Sequence, residues 1–455
     1  MPNPKIGATK IGLGWIDIVR MGLVQASIGS IVMLATSLLN RVMVVEYALP
    51  AALPAGLVAW HYAVQLSRPI WGHGSDKGRT RTPWIIGGMG VLALGAIVAV
   101  NATVMLPPTP LLGTLLAVLA FSMIGAGVGA AGTSMLAMLA SGVVPERRAA
   151  AAAITWIMMV AGIVIAAGVA GSLIDPFSEA RLAAVAGGVA LAAFVVACLA
   201  IAGVERRLVP PPHPGSDAPS GNFVEALREI LADRTARRFT VFVFVSMLAY
   251  SMQDLILEPF AGLMFDMTPG ESTKLSGVQH SGVLLGMITA GIGGSAFSGR
   301  KLADLRIWIL VGCGGSALAL AALALSATSG GVWPIKTNVA LLGFANGIFA
   351  VSAIGAMMGL AGAGQTSKEG VRMGVWGASQ AIAFGLGGLI GAIGVDIARK
   401  LLATDGAAFQ LIFAGEAGLF LIAALLALRV TTRRASPPIL AAQALGGIKH
   451  GTHGF

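Results

Sequence analysis

Twelve apolar runs, each long enough to cross a lipid bilayer, follow one another along this chain. They lie at roughly 18–42, 50–71, 84–105, 111–140, 150–173, 180–203, 239–262, 276–298, 305–327, 337–362, 371–397 and 407–429. Apolar residues make up 56% of the 455 residues and charged residues 11%, more apolar surface than a soluble fold of this length can hide. The connecting segments test the count. With the N-terminus placed in the cytoplasm, 23 of the 30 lysines and arginines fall on the cytoplasmic side and 5 on the opposite side. Arg41 and Arg68, away from the loops on either side, are the two assigned to neither. This alternation fixes a multi-pass orientation with both termini cytoplasmic. It also accounts for the net charge of +10 without invoking nucleic acid. The first run is too long for a cleaved leader. Cys198 and Cys313, in different halves, read as small buried residues and not as a disulfide.

The longest polar connection divides the chain. The expected organisation is a six-helix bundle over 1–203, a cytoplasmic linker over 204–238, a second six-helix bundle over 239–434, and a disordered cytoplasmic tail over 435–455. Within the linker, Pro210-Pro211-Pro212-His213-Pro214 predicts an extended piece. Asn222 with Glu225 then caps a short amphipathic helix whose apolar stripe is Phe223, Leu227, Ile230 and Leu231. The halves echo each other. Trp156 precedes Asp175 by 19 residues and Trp376 precedes Asp396 by 20, each pair spanning one run. Gly125/Gly129, Gly282/Gly286, Gly343/Gly347 and Gly387/Gly391 predict close helix packing.

Ionisable groups inside a span cost several kcal/mol unless paired or hydrated, so they mark candidate sites. Asn40, Arg41 and Glu46 sit at the end of the first run, and Gln253, Asp254 and Glu258 near the end of the seventh. Asp254 and Glu258, four residues apart, share a helix face and repel unless a proton or a cation intervenes. Arg41 is the expected partner, across the interface between halves. The site is either a charge-paired gate beside a ligand or a fixed interhelical clamp. His61 and His280, in the second and eighth runs, are candidate ligands for the magnesium of a chlorophyll-type macrocycle. The plainer reading of each is a hydrogen-bonding residue. No phosphate loop, dinucleotide turn, metal cluster or nucleophile–base set is evident, so the chain reads as a non-enzyme.

Two six-helix halves resemble the major facilitator superfamily, in which the cavity lies between the halves. The loop Gly72-His73-Gly74-Ser75-Asp76-Lys77-Gly78-Arg79 is similar to that superfamily's loop signature, one residue short before Gly78. The loop after the eighth run keeps only Ser298-Gly299-Arg300-Lys301. Three stretches resemble a narrower group, the bacteriochlorophyll delivery family of PucC/LhaA-type light-harvesting assembly proteins. They are Leu39 to Glu46, Gln253 to Thr273 and Gly374 to Ala381. The resemblance implies an all-α membrane protein with twelve transmembrane helices. It also implies a place in the bacterial inner (intracytoplasmic) membrane, bacteriochlorophyll as cargo, and antenna polypeptides or bacteriochlorophyll synthase as partners. Gly12 to Gly22 looks unlike the two antenna-dedicated branches, which points to the branch associated with pigment synthesis. Spans this sparse in charge suit a lipid-like cargo. A secondary transporter of a small amphiphile, and a permanent subunit of a photosynthetic complex, remain the alternatives.

Overall fold

The computed structural model describes residues 13–68, 71, 75, 80–143, 148–207, 232, 234–296, 305–329, 333–362 and 369–430. The linker helix expected over 222–231, Gly72, Asp76, Lys77, Gly78 and Arg79 of the loop motif, residues 298–301 and the tail lie outside these residues.

The described chain is all helical, with twelve long helices. They are α1 (Trp15–Glu46), α2 (Ala52–Gln65), α3 (Thr82–Met105), α4 (Pro110–Gly142), α5 (Arg148–Leu173), α6 (Glu179–Ile201), α7 (Arg234–Phe265), α8 (Pro269–Ala296), α9 (Leu305–Ser326), α10 (Ile335–Gly362), α11 (Glu369–Leu401) and α12 (Asp405–Val430). Eleven of them hold a described stretch long and apolar enough to cross a membrane, and the twelfth is α2. The chain is a multi-pass membrane protein.

Local chemistry starts the helices where they start. Gly14 N–H donates to Asp17 Oδ2 at 3.3 Å, closing the first turn of α1. Ser178 Oγ caps α6 by accepting from Arg181 N–H at 3.2 Å. A reciprocal cap opens α8. Thr268 Oγ accepts from Glu271 N–H at 3.2 Å, and Glu271 Oε2 accepts from Thr268 N–H at 3.1 Å. This cap begins α8 at Pro269, seven residues before the expected start at 276, so Lys274 sits on the helix and not in a loop.

The packing repeats. In the first half α1 lies against α5 and α6, α2 against α4, and α3 against α4 and α6. In the second, α7 lies against α11 and α12, α8 against α10, and α9 against α10 and α12. Each pairing is the other shifted by six helices. The halves meet along two seams related in the same way, α2 against α11 and α5 against α8. Glycine sets the closest contacts. A Cβ on Gly282 or Gly286 of α8 would run into α10 backbone, and one on Gly343 or Gly347 of α10 into α8 backbone. Gly387 and Gly391 of α11 do the same against α7.

The helix ends repeat as well. Ala48 after α1 and Asp266 after α7 both take φ of 50°, the left-handed conformation that ends a helix. The next N–H in each case reaches back six residues, Leu49 to Met43 C=O at 2.9 Å and Met267 to Ala261 C=O at 3.4 Å. Counted from these caps, the counterpart of His280 is Tyr62, and His61 matches Gln279. The two histidines therefore are not equivalent positions, and one residue on a helix turns the side chain by about 100°.

Candidate functional site

The polar residues of α1 work because that helix is not regular. Leu34–Leu38 and Val42–Glu46 are π turns, whose hydrogen bonds run five residues back. Residues five apart lie roughly 140° apart on an α-helix. The wider π turn brings Arg41 and Glu46 together, and they form an ion pair. Arg41, 2% exposed, is otherwise fully employed. Its Nε donates to Ser272 Oγ at 3.2 Å and its second terminal nitrogen to Met267 C=O at 2.6 Å. Contrary to expectation, Arg41 forms no ion pair with Asp254 or Glu258, although its charge still acts on Glu258. The π turn supplies a carboxylate on Arg41's own helix, and the guanidinium is turned toward the α7–α8 connection.

Asn40 answers a different need. Pro259 lies inside α7 and has no N–H, so the carbonyl of Leu255, four residues earlier, loses its helical donor. Asn40 Nδ2 fills the gap, donating to Leu255 C=O at 2.8 Å. In a bilayer such a carbonyl needs a protein partner because no water reaches it.

Glu258 and Asp254 have different surroundings. Glu258 accepts from Ser37 Oγ on α1. Thr273 and Ser276 of α8 face the same carboxylate, while its Oε2 accepts no bond of normal geometry. Asp254 instead interacts electrostatically with Tyr62 of α2, Tyr250 of α7 and Glu416 of α12. Gln253 Nε2 donates to Tyr250 C=O at 3.1 Å. Glu416 is fully buried; the Gln253 backbone faces its carboxyl, but neither oxygen has a partner of normal hydrogen-bond geometry among the described residues. Sequence reasoning passed over Glu416, although a lone acid in the last apolar run is the same signal that singled out Asp254.

Both ring nitrogens of His61 are engaged. Nδ1 donates to Val58 C=O at 3.1 Å, and Nε2 accepts from Gln65 Nε2 at 2.8 Å. Gln65 in turn accepts from Arg68. His280 differs. Nδ1 donates to Ser276 C=O at 2.9 Å, which makes Nε2 the ring's lone-pair nitrogen. Among the described residues that nitrogen has no partner. Gly277, one turn before, lies against Gly168 and Val164, and Leu284, one turn after, packs on the cluster of Val160, Val283 and Met287. His280 thus lies on the face of α8 that meets α5.

At the end of the bundle where α1 joins α2, two aspartates bind the halves together. Asp175, at the end of α5, accepts from Thr268 Oγ at 2.6 Å and from Gly270 N–H at 3.1 Å at the start of α8. Asp396, near the end of α11, accepts from Ala51 N–H at 3.1 Å and Ala52 N–H at 2.7 Å at the start of α2. Each places a carboxylate on the positive end of a helix from the opposite half. A cavity of about 560 Å³ opens beside the first of them, lined in part by Arg41, Glu46, Asp175, Gly262, Asp266 and Thr268.

Comparison with known proteins agrees with this architecture. The chain is 50% identical over 434 residues to the "Bacteriochlorophyll synthase 44.5 kDa chain" of Rhodobacter capsulatus, covering 95% of this chain and all of that one. It is 28% identical to "Protein PucC" of the same organism, covering 89% of this chain and 90% of that one. Among solved structures, a peptide transporter of the POT type in complex with alafosfalin superposes with a TM-score of 0.67 at 13% identity, over 92% of this chain and 96% of the transporter. That likeness shows the twelve-helix facilitator fold. The family model described as "PUCC protein" matches residues 38–435, and the chain belongs to that family.

Proposed function

We propose that the chain is a membrane assembly factor for purple-bacterial photosynthetic complexes, one that carries bacteriochlorophyll to its protein acceptors without chemically altering it. The observation that carries the pigment reading is His280. A neutral imidazole whose Nδ1 is held by a backbone carbonyl presents Nε2 as a directed lone pair, the form that binds a metal axially. It lies on the seam face of α8, where a flat apolar macrocycle finds apolar walls in Val160, Leu284 and Met287. His61, with both nitrogens engaged, is the weaker ligand.

The names of the relatives support the setting. One carries the name of bacteriochlorophyll synthase and another that of PucC. We read the synthase name as association with pigment synthesis. The partners are then bacteriochlorophyll synthase as donor, antenna polypeptides as acceptors, and membrane lipid around both. The bias of basic residues supports a reading with both termini on the cytoplasmic side of the bacterial inner (intracytoplasmic) membrane and the α1–α2 end on the outer side.

A second reading, secondary transport of a small amphiphile, draws on Asp254 and Glu416, acids in spans without ion-pair partners among the described residues. A strain lacking the chain separates the two. Assembly predicts membranes with the antenna absorption bands depressed while bacteriochlorophyll is still made. Normal antenna bands in that strain contradict it.

A further inference from the structure

A recess on the α2–α7–α11 seam has features that the pigment reading does not use. Tyr62 of α2 packs on the core of the first half, whereas Tyr250 of α7 and Phe384 of α11 pack on the core of the second. Their rings meet across the seam. Tyr62 and Phe384 have centroids 6.0 Å apart, and Tyr250 and Phe384 5.7 Å apart with an edge-on geometry. All three rings keep partial accessibility although they lie inside the bundle, and so does the carboxylate residue beside them, Asp254. Asp254 has no hydrogen-bond or ion-pair partner among the described residues. Behind it Glu416 is fully buried, with no partner of normal hydrogen-bond geometry at either oxygen among the described residues, and it feels the charge of Asp254. The nearest basic side chain that bears on Tyr62, Arg68, is bound to Gln65.

The rings and the carboxylate of this recess select positive charge. Aromatic faces attract cations through their quadrupoles, most strongly when water is excluded. An unpaired carboxylate in a low-dielectric seam gains more from a cation than it would in water. The walls are otherwise apolar, so the body carrying the charge must be apolar too.

We propose that this recess binds an organic cation on an apolar body, with Asp254 as the counter-ion and Tyr62, Tyr250 and Phe384 as the walls. The site is separate from His280 and stands or falls independently of pigment binding.

Isothermal titration of the purified full chain in detergent with tetraphenylphosphonium tests it. One saturable site per chain is expected, absent from empty micelles. Asp254→Asn should weaken binding about tenfold or more, and Phe384→Leu and Tyr250→Leu severalfold. Glu258→Gln, one turn further along α7 and bonded to Ser37, should leave it unchanged. No saturable binding, or equal binding by Asp254→Asn, overturns the proposal. Should Asp254→Asn not fold, undiminished binding by Phe384→Leu and Tyr250→Leu overturns it equally.

Discussion

Asn40 on α1 supplies to Leu255 the hydrogen bond that Pro259 withholds. The proline breaks the ladder of α7, and an amide from the opposite half mends it. This links two residues that look unrelated in the sequence and ties the halves at membrane depth. Asn40→Ala should leave a buried carbonyl unsatisfied and cost about 1–3 kcal/mol. In a Pro259→Ala background the N–H returns to α7, and the same substitution should cost far less. A double-mutant cycle on thermal midpoints in detergent reads the coupling. Additive effects would show that Asn40 does not serve this gap.

Arg41 should behave as a clamp within α1 and onto the α7–α8 connection. Removing it leaves Glu46 unpaired and the Met267 carbonyl without its donor. Arg41→Ala should cost roughly 3 kcal/mol, the lower part of the range for a broken buried pair because Glu46 is 29% exposed. Glu46→Gln in the same chain should recover part of the loss. Neutralising Asp254 should recover none. The yield of monodisperse protein after mild heating distinguishes these outcomes.

The caps at Asp175 and Asp396 should matter equally, being the same device on the two seams. Replacement of either by alanine should cost about 1–2 kcal/mol, and asparagine, which keeps one acceptor, less. If one substitution is silent and the other severe, the two seams are not mechanically equivalent.

Glycine substitutions should sort by surroundings. Gly347→Ala puts a methyl into the α8 backbone at Val283, and should cost roughly 1–3 kcal/mol unless the helices part. Gly187→Ala and Gly188→Ala on α6 meet nothing within 4 Å and should be neutral or slightly stabilising. Thermal midpoints of the three variants test the contrast.

Tyr47, just beyond α1, gives an alkaline signature. Its hydroxyl donates to Glu179 Oε1 at 3.3 Å. Burial, followed by the Glu179 charge, pushes the phenol from 10.0 up to about 12. The folded state favours the neutral phenol, so its contribution is intact below pH 10 and lost as pH climbs toward 12. The advantage of the parent chain over Tyr47→Phe should therefore shrink across that window. An advantage constant with pH would contradict the assignment.

The architecture was legible because a bilayer forces it. Apolar length and alternating basic loops specify helices and their direction, and the Trp156–Asp175 and Trp376–Asp396 spacings showed the repeat, though not that the two aspartates cap helices. The local geometry was less legible. π turns have no simple sequence signature, so Arg41 could not be seen to meet Glu46. The Asn40–Leu255 bond depends on which carbonyl Pro259 strands and on how α1 and α7 are set against each other. The one-residue offset between His61 and His280 emerges only from the helix caps at Ala48 and Asp266.

The most direct test of pigment carriage is the near-infrared absorption spectrum of the chain purified gently from pigment-producing membranes. A bacteriochlorophyll band in fixed ratio to protein is expected, lost in His280→Leu and kept in His61→Leu and Asp254→Asn. A colourless preparation, or a band indifferent to His280, would contradict it.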